Sequence, residues 1–376
     1  MDNLTHSLVG LTTAKAGLER FSPYATVVCL ASANAADADF VSLFFGDRWT
    51  LLEHHRGITH SIVGMIAIGL LIPILAFAIE RVVASLTNHQ ARIRLRGLLI
   101  ASLIAAATHP VMDWTNNYGV RPLLPWSGRW FYGDLVFIVD PYLWLVLGGA
   151  MFLLTSSSSK SRTVAWAAFA TLVTALMVLA SRNRDAGAAM KTAVIVWIAG
   201  MLVLASLRAM NWQKKFGRAT AIAALFFAFS YLGALAWMHH NAYTDTLAVA
   251  NQLAASRGEL LIKAAAMPTL ATPFTWQCVA ETDRAMYCFV IRRGVDPSPP
   301  TRYEKPGGQG AQLVSLAESD RRAQVLLGFA RFPIERVAAE SCVGQTLVQF
   351  ADLRYTEPGG PRGNFSVNIP VDCPSR

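Results

Sequence analysis

The sequence predicts an all-α polytopic membrane helix bundle of about seven or eight segments with a C-terminal β-rich extramembrane domain. Three observations carry this. The chain is 53% hydrophobic and 15% charged, with a mean hydropathy of +0.37, whereas a soluble domain carries about 25% charge. Seven uncharged apolar runs recur at about 21–36, 57–79, 97–112, 141–159, 163–181, 192–207 and 219–238. Beyond residue 240 the character changes: Pro, Gly and alternating β-prone residues replace the apolar runs.

A spanning helix needs roughly 20 residues, with a range near 17–25. The runs at 57–79, 163–181 and 219–238 meet this directly, and those at 97–112 and 192–207 meet it if an end residue reaches the interface. Segment 4–19 carries Lys15 and Glu19 near its end and is expected to pack into the bundle or form a short span. The N-terminus has no basic stretch before an apolar run, so insertion is expected from internal segments.

Net charge is +9, of which +8 lies in residues 1–239 (19 Lys+Arg against 11 Asp+Glu). A basic chain could bind nucleic acid, but here the excess sits in short loops, where topology and lipid headgroups account for it. No nucleic-acid partner is expected. Loops 80–96, 155–162 and 208–218 are basic and fall on one side if each run spans once. That side is read as cytoplasmic, with 182–191 (Arg182, Arg184, Lys191 against Asp185) an imperfect fit on the other. The chain after about 240 then lies outside, in a periplasm. Cys278, Cys288, Cys342 and Cys373 all fall there, as an oxidising compartment would favour. Pairs Cys278–Cys288 and Cys342–Cys373 are expected, the first across a hairpin at 274–293. The domains expected are 1–150 (core), 151–240 (additional helices) and 241–376 (β-rich).

Ionisable residues in apolar segments suggest function, because lipid makes them costly. Here they recur as His and Asp: His6, Asp37, Asp39, His55, His60, His109 and Asp113. With the topology above, all of them meet at the outer membrane level. His109 and Asp113 are i and i+4 and share a helix face. Asp37-x-Asp39 places two hard oxygen ligands together at a helix end. Imidazole with carboxylate suits Zn²⁺, and also Mn²⁺ or Fe²⁺. More candidates are present than one tetrahedral ion needs, which points to two ions clamping a hydrolysed bond. Asp39 and Asp113 are candidate catalytic carboxylates, Arg56 a candidate anion-binding group, and Thr59 and Ser61 supporting donors. Asp134 reads as a loop acid, Asp140 before Pro141 as a helix cap, His239 and His240 as interfacial residues, and Trp114, Trp126, Trp130 and Trp144 as an aromatic belt.

At DNLTHSLVG (2–10), DAD (37–39), HHRGITHS (54–61), HPVMDWTNNYGVRPLLPW (109–126) and FYGDLVFIVDPYLW (131–144) the chain resembles the YdjM-type family of inner-membrane metal-dependent hydrolases. The likeness covers roughly residues 1–145. It departs from the motif at Ala35-Ala36, where the family carries Leu-Pro. It implies the seven His and Asp residues above as metal-site residues. It also implies phosphoester hydrolysis, through a grouping with zinc phospholipases C and single-strand nucleases, and, in a membrane, a lipid substrate. A membrane peptidase would need a motif such as H-E-x-x-H, which is absent. A transporter would need acids deep in several helices. A non-catalytic metal-binding protein whose C-terminal domain binds a partner is the alternative. Neither oligomeric state nor substrate is fixed by the sequence.

Overall fold

A computed structural model describes residues 1–87, 90–156, 159–182, 187–338, 344–359 and 365–373. Arg184, Asp185 and Cys342 lie outside the described residues. The chain divides into two compact units. One comprises Met1–Asp39, Arg56–Trp237 and Pro268–Pro273, and the other Phe40–His55, Met238–Met267 and Phe274–Arg376.

The first unit is helical. It contains α1 (Asn3–Lys15), α2 (Ala25–Asn34), α4 (Ile62–Thr87), α5 (Leu95–Trp114), α6 (Pro141–Thr155), α7 (Lys160–Ala180), α8 (Ala188–Ala209), α9 (Trp212–Phe216) and most of the apolar part of α10 (Arg218–Arg257). The short α3 (Arg48–His54) belongs to the second unit. Helix α2 runs on into 3₁₀ turns over Ala35–Phe44. Among the described residues, six helices are long and apolar enough to cross a membrane: Ala25–Phe44, α4, α5, α7, α8 and α10. Two expected segments fall short of that. Helix α1 has 13 residues, about 20 Å at 1.5 Å per residue, and α6 is likewise a shorter apolar helix. The many outward Leu, Ile and Val of α4, such as Leu71, Leu75 and Ile79, suit a helix surrounded by lipid rather than water.

Small residues let the N-terminal helices close on one another. A Cβ at Gly10 of α1 would lie 2.7 Å from the Ala33 Cβ of α2, so glycine is what permits this approach. Ala14, Ala25, Cys29, Leu98, Ala101 and Ala105 fill the seam between α1, α2 and α5. A buried Ser32–Ser102 hydroxyl contact of 2.8 Å ties α2 to α5. These contacts carry the far ends of α1, α2 and α5 to one place.

The second unit holds two antiparallel sheets. Strands β1 (Leu261–Thr269), β2 (Thr272–Thr282), β3 (Ala285–Arg292) and β4 (Thr301–Glu304) form one in that order. Strands β5 (Pro333–Val337), β6 (Gln345–Asp352) and β7 (Ser366–Asp372) form the other. Helices α11 (Gly308–Ala317) and α12 (Arg321–Phe329) pack on the three-stranded sheet, so the β-rich unit is less purely β than the sequence suggests. The expected hairpin is present as β2–β3. One face of its sheet, with Trp276, Cys278 and Ala280, packs on Ala242 and Ala250 of α10. The other face, with Val279 and Met286, packs on Phe332, Ile334, Ala351 and Leu353.

This two-sided packing overturns the expected Cys278–Cys288 disulfide. Both thiols are free. In the hairpin register Cys278 faces Phe289 and Val279 faces Cys288. The cysteines are therefore one residue out of step, and successive strand residues point to opposite faces. Cys278 Sγ lies 3.1 Å from the Thr246 hydroxyl of α10, while Cys288 packs against the opposite core. Cys373 is disulfide-bonded; its expected partner Cys342 lies outside the described residues.

Glu335 on β5 gives this unit a pH signature. Burial pushes its carboxyl up to about 7, and Glu318 and Glu281 add to the shift against Lys305. The folded state therefore holds a proton that the unfolded state has lost between pH 4.5 and 7. The stability this contributes is complete below the unfolded value and is lost as pH rises through 7. Thermal unfolding at pH 5 and pH 8 is expected to show a loss of roughly 1–3 kcal/mol from this group, and Glu335→Gln should flatten that slope. An unchanged slope in the variant would assign it to other groups.

Candidate metal centre

Four segments supply the centre. Asp2 caps α1, accepting from Thr5 N at 2.9 Å and the Thr5 hydroxyl at 2.6 Å. The Trp144 indole N–H then donates to Thr5 Oγ1 at 2.9 Å. Trp144 thus anchors α1 rather than standing in an interfacial belt, unlike the exposed Trp114 and Trp126. The anchored first turn presents His6, which is fully buried and stacked on His109 with ring centroids 3.7 Å apart.

The 3₁₀ turns after α2 place Asp37 and Asp39. At three residues per turn, positions two apart diverge by about 120°, so the two carboxylates serve different neighbours. Asp37 Oδ1 lies 3.3 Å from His60 Nε2 and 3.6 Å from His109 Nε2. Asp39 Oδ2 instead accepts from Arg56 N at 3.0 Å and from the Thr59 hydroxyl at 3.3 Å, and lies 3.3 Å from His60 Nδ1.

At the end of α5, His109 and Asp113 lie one turn apart. Asp113 Oδ2 is 3.3 Å from His60 Nε2 and 3.4 Å from His109 Nε2, and Oδ1 is 3.3 Å from His6 Nε2. The Met1 amino group also lies against Oδ1. Ligand atoms of Asp37, His60, His109 and Asp113 fall within 4.8 Å of one another.

The outer hydrogen bonds fix the tautomers. His109 Nδ1 sits 2.6 Å from the Ala33 carbonyl, which only accepts, so Nδ1 holds the proton. His60 Nδ1 faces the Asp39 carboxylate and Thr59 Oγ1, the latter at 3.0 Å, and holds its proton likewise. Both Nε2 lone pairs then point inward, only 3.1 Å apart. Asp37 Oδ2 and Asp113 Oδ2, both buried, receive no hydrogen bond among the described residues. Two lone pairs and two carboxylates facing one another in a dry interior repel unless a cation joins them. Carboxylate–imidazole pairs of this kind commonly orient metal-binding histidines. The residues present therefore fit a divalent ion.

Arg56 sits where sequence reasoning expected an anion-binding group, but both its Nη groups are engaged inside the protein. Nη2 donates to Asp113 Oδ1 at 2.8 Å. Nη1 reaches the Asp113 carbonyl at 3.3 Å, Asn116 Oδ1 at 3.1 Å and the Gly119 carbonyl at 2.9 Å. The guanidinium also lies 4.5 Å over the Tyr118 ring and is buried. Its backbone adopts the left-handed region (φ 54°), a cost of roughly 1–2 kcal/mol for a residue with a Cβ that these hydrogen bonds offset. Asn116, Tyr118, Gly119 and the Ala33 carbonyl were not legible as site groups, since each acts through backbone atoms or a neutral side chain.

His55 ends α3 in the second unit, its ring 4.8 Å from that of Phe40. Ser61 does not support the centre: its hydroxyl donates to Ile58 O at 2.7 Å and accepts from Gly64 N at 3.1 Å, which starts α4. Asp140 caps α6, accepting from Leu143 N at 2.8 Å, and also accepts from the Tyr231 hydroxyl at 2.9 Å. Asp134 is buried in the 115–140 loop. His239 lies near Trp276, 5.4 Å between rings.

Fold and centre together define a multi-pass membrane protein with a buried His/Asp cluster suited to a divalent ion. Residues 1–186 match the model of the YdjM inner membrane protein family. It is also 25% identical over 155 residues to "Uncharacterized protein YfhP" of Bacillus subtilis (strain 168), an alignment covering 39% of this chain and 43% of that protein. No solved structure matches.

Proposed function

We propose that this protein is a membrane-bound metal-dependent hydrolase that cleaves a phosphoester of a lipid or membrane-associated substrate, with its centre on the periplasmic side. The observation that carries the reading is the inward convergence of His60 Nε2, His109 Nε2, Asp37 and Asp113 with their partners spent outward. These four, with His6, would hold one ion or two, Zn²⁺ first, with Mn²⁺ or Fe²⁺ also compatible. Such an ion supplies Lewis-acid polarisation of a phosphoryl oxygen and acidifies water.

The chain's own groups do the rest. Asp39 holds the His60 ring and its tautomer. Arg56 holds Asp113 and neutralises part of the local acid charge. Asp37 Oδ2, which accepts no hydrogen bond among the described residues, would take the proton of an attacking water.

One observation favours a second reading. His6, His60, His109 and Asp113 are all buried, and a closed centre is typical of structural metal sites. The non-catalytic alternative gives the ion a structural role and the C-terminal unit a partner. The test is hydrolysis of phospholipids and of a soluble phosphodiester by the detergent-purified, metal-loaded chain beside His60→Ala. Turnover at least 100-fold above the variant supports the hydrolase. Bound metal with no turnover on either substrate moves the assignment to the structural reading.

A further inference from the structure

A second site lies at the other end of the same helices. Between the end of α1 and the start of α10 is a cavity of about 280 Å³, walled by Gly17, Leu18, Arg20, Phe21 and Arg218 among others. It is built rather than incidental. Arg218 Nε donates to the Ala16 carbonyl at 2.5 Å, and its Nη2 would lie 2.9 Å from a Cβ at Gly17, whose φ is 152°. Arg94 Nη2 donates to the Arg20 carbonyl at 2.8 Å, and Arg94 N donates to Ser22 Oγ at 2.9 Å. Two arginines, Arg20 and Arg218, therefore line one cleft, and a third, Arg94, is tied to the backbone of Arg20.

None of the three has a carboxylate partner among the described residues. The nearby acid, Glu19, is taken by Lys15 at 2.6 Å. Exposed arginines without an acidic partner, beside an apolar wall of Leu18 and Phe21, suit an anion carried on something apolar. Helix α9 precedes Arg218 with the Trp212 and Phe216 ring centroids 4.0 Å apart and Lys214 and Lys215 in the same turn, the composition of an interfacial segment. His109 lies fifteen residues along the helix from Arg94, roughly 22 Å at 1.5 Å per residue. The cleft is thus separate from the His/Asp centre and sits at the opposite helix ends.

We propose that this cleft binds the phosphate of an anionic phospholipid, its diester held by Arg20 and Arg218 with Arg94 behind them and its glycerol and first methylenes against Leu18 and Phe21. Guanidinium forks match phosphate oxygens, and basic pockets between spanning helices suit lipid headgroups. This assignment stands apart from the hydrolase reading.

The test is lipid retention by the detergent-purified full chain, read by native mass spectrometry with phosphatidylglycerol, phosphatidylcholine or inorganic phosphate added. Wild type is expected to keep phosphatidylglycerol at least fivefold over phosphatidylcholine, and millimolar phosphate should not displace it. Arg20→Gln should weaken retention about fivefold, and Arg20→Gln with Arg218→Gln more, at roughly that factor per arginine. Among the described residues Arg20 is engaged through its backbone, donating to the Gly17 carbonyl and accepting from Arg94, so the single variant leaves the fold intact and keeps the test valid should the double variant misfold. Equal retention of the two lipids, or an unchanged preference in Arg20→Gln, overturns the proposal. Phosphate binding without lipid retention overturns the lipid assignment in favour of a free-anion site.

Discussion

His60→Ala and Asp113→Ala are each expected to lower divalent-ion retention by more than 100-fold in the purified protein, with the helical fold preserved in detergent, although Asp113→Ala also strands the buried Arg56 and lowers thermal stability. Each removal takes away a ligand atom from a set confined within 4.8 Å, and the remaining groups cannot close around the gap because helices α1, α2 and α5 are locked by Gly10, Ser32 and Ser102. Asp39→Ala, which leaves the ligand set intact and removes only the His60 Nδ1 partner, is expected to cost less, about 10- to 100-fold. Metal analysis after dialysis against a weak chelator, with circular dichroism as the fold control, reads all three. Full metal content in His60→Ala and Asp113→Ala would dismiss the centre, whatever activity is found.

The second large effect is structural. Arg56→Met should destabilise the first unit by about 3 kcal/mol or more, because removing one partner of a buried ion pair strands the other charge. The stranded group is Asp113, which is 1% exposed. His6 and the Met1 amino group lie on the same oxygen and keep the cost toward the lower end. Arg56→Lys restores the charge but not the fork that spans Asp113, Asn116 and Gly119, so partial rescue of thermal stability is expected. If Arg56 instead faced substrate, Arg56→Met would leave thermal stability unchanged and weaken substrate binding alone.

The residues that were legible are those whose presence in an apolar setting is itself costly. His6, Asp37, His60, His109 and Asp113 stand out because lipid-facing segments seldom carry them, and the structure brings all five together. Roles that depend on direction were not legible. Arg56 reads as an exposed cation beside two histidines until its left-handed backbone turns it toward Asp113. Asp37 and Asp39 read as one chelating pair until the 3₁₀ turn separates them. The cysteine hairpin failed on a single residue of register, because turn length decides which face each thiol occupies, and composition does not encode it. Strands β2 and β3 themselves were legible from their alternation around the polar turn, whereas α11 starts inside the Gly- and Pro-rich stretch 295–310 and α12 follows without a long apolar run to mark it.

The placement of the cysteines has a practical consequence for mapping which segments face which compartment. Cys29 and Cys278 are wholly enclosed, Cys373 is already bonded, and burial pushes the Cys278 thiol up to about 11 and that of Cys288 up to about 12. Thiolate, not thiol, reacts with maleimides, so at neutral pH the native cysteines with known surroundings are nearly silent. A single cysteine introduced at an exposed loop position, such as Arg92 or Trp126, should therefore be labelled against a quiet background. The chain can report its own sidedness in intact cells without first being stripped of the thiols its core is packed around.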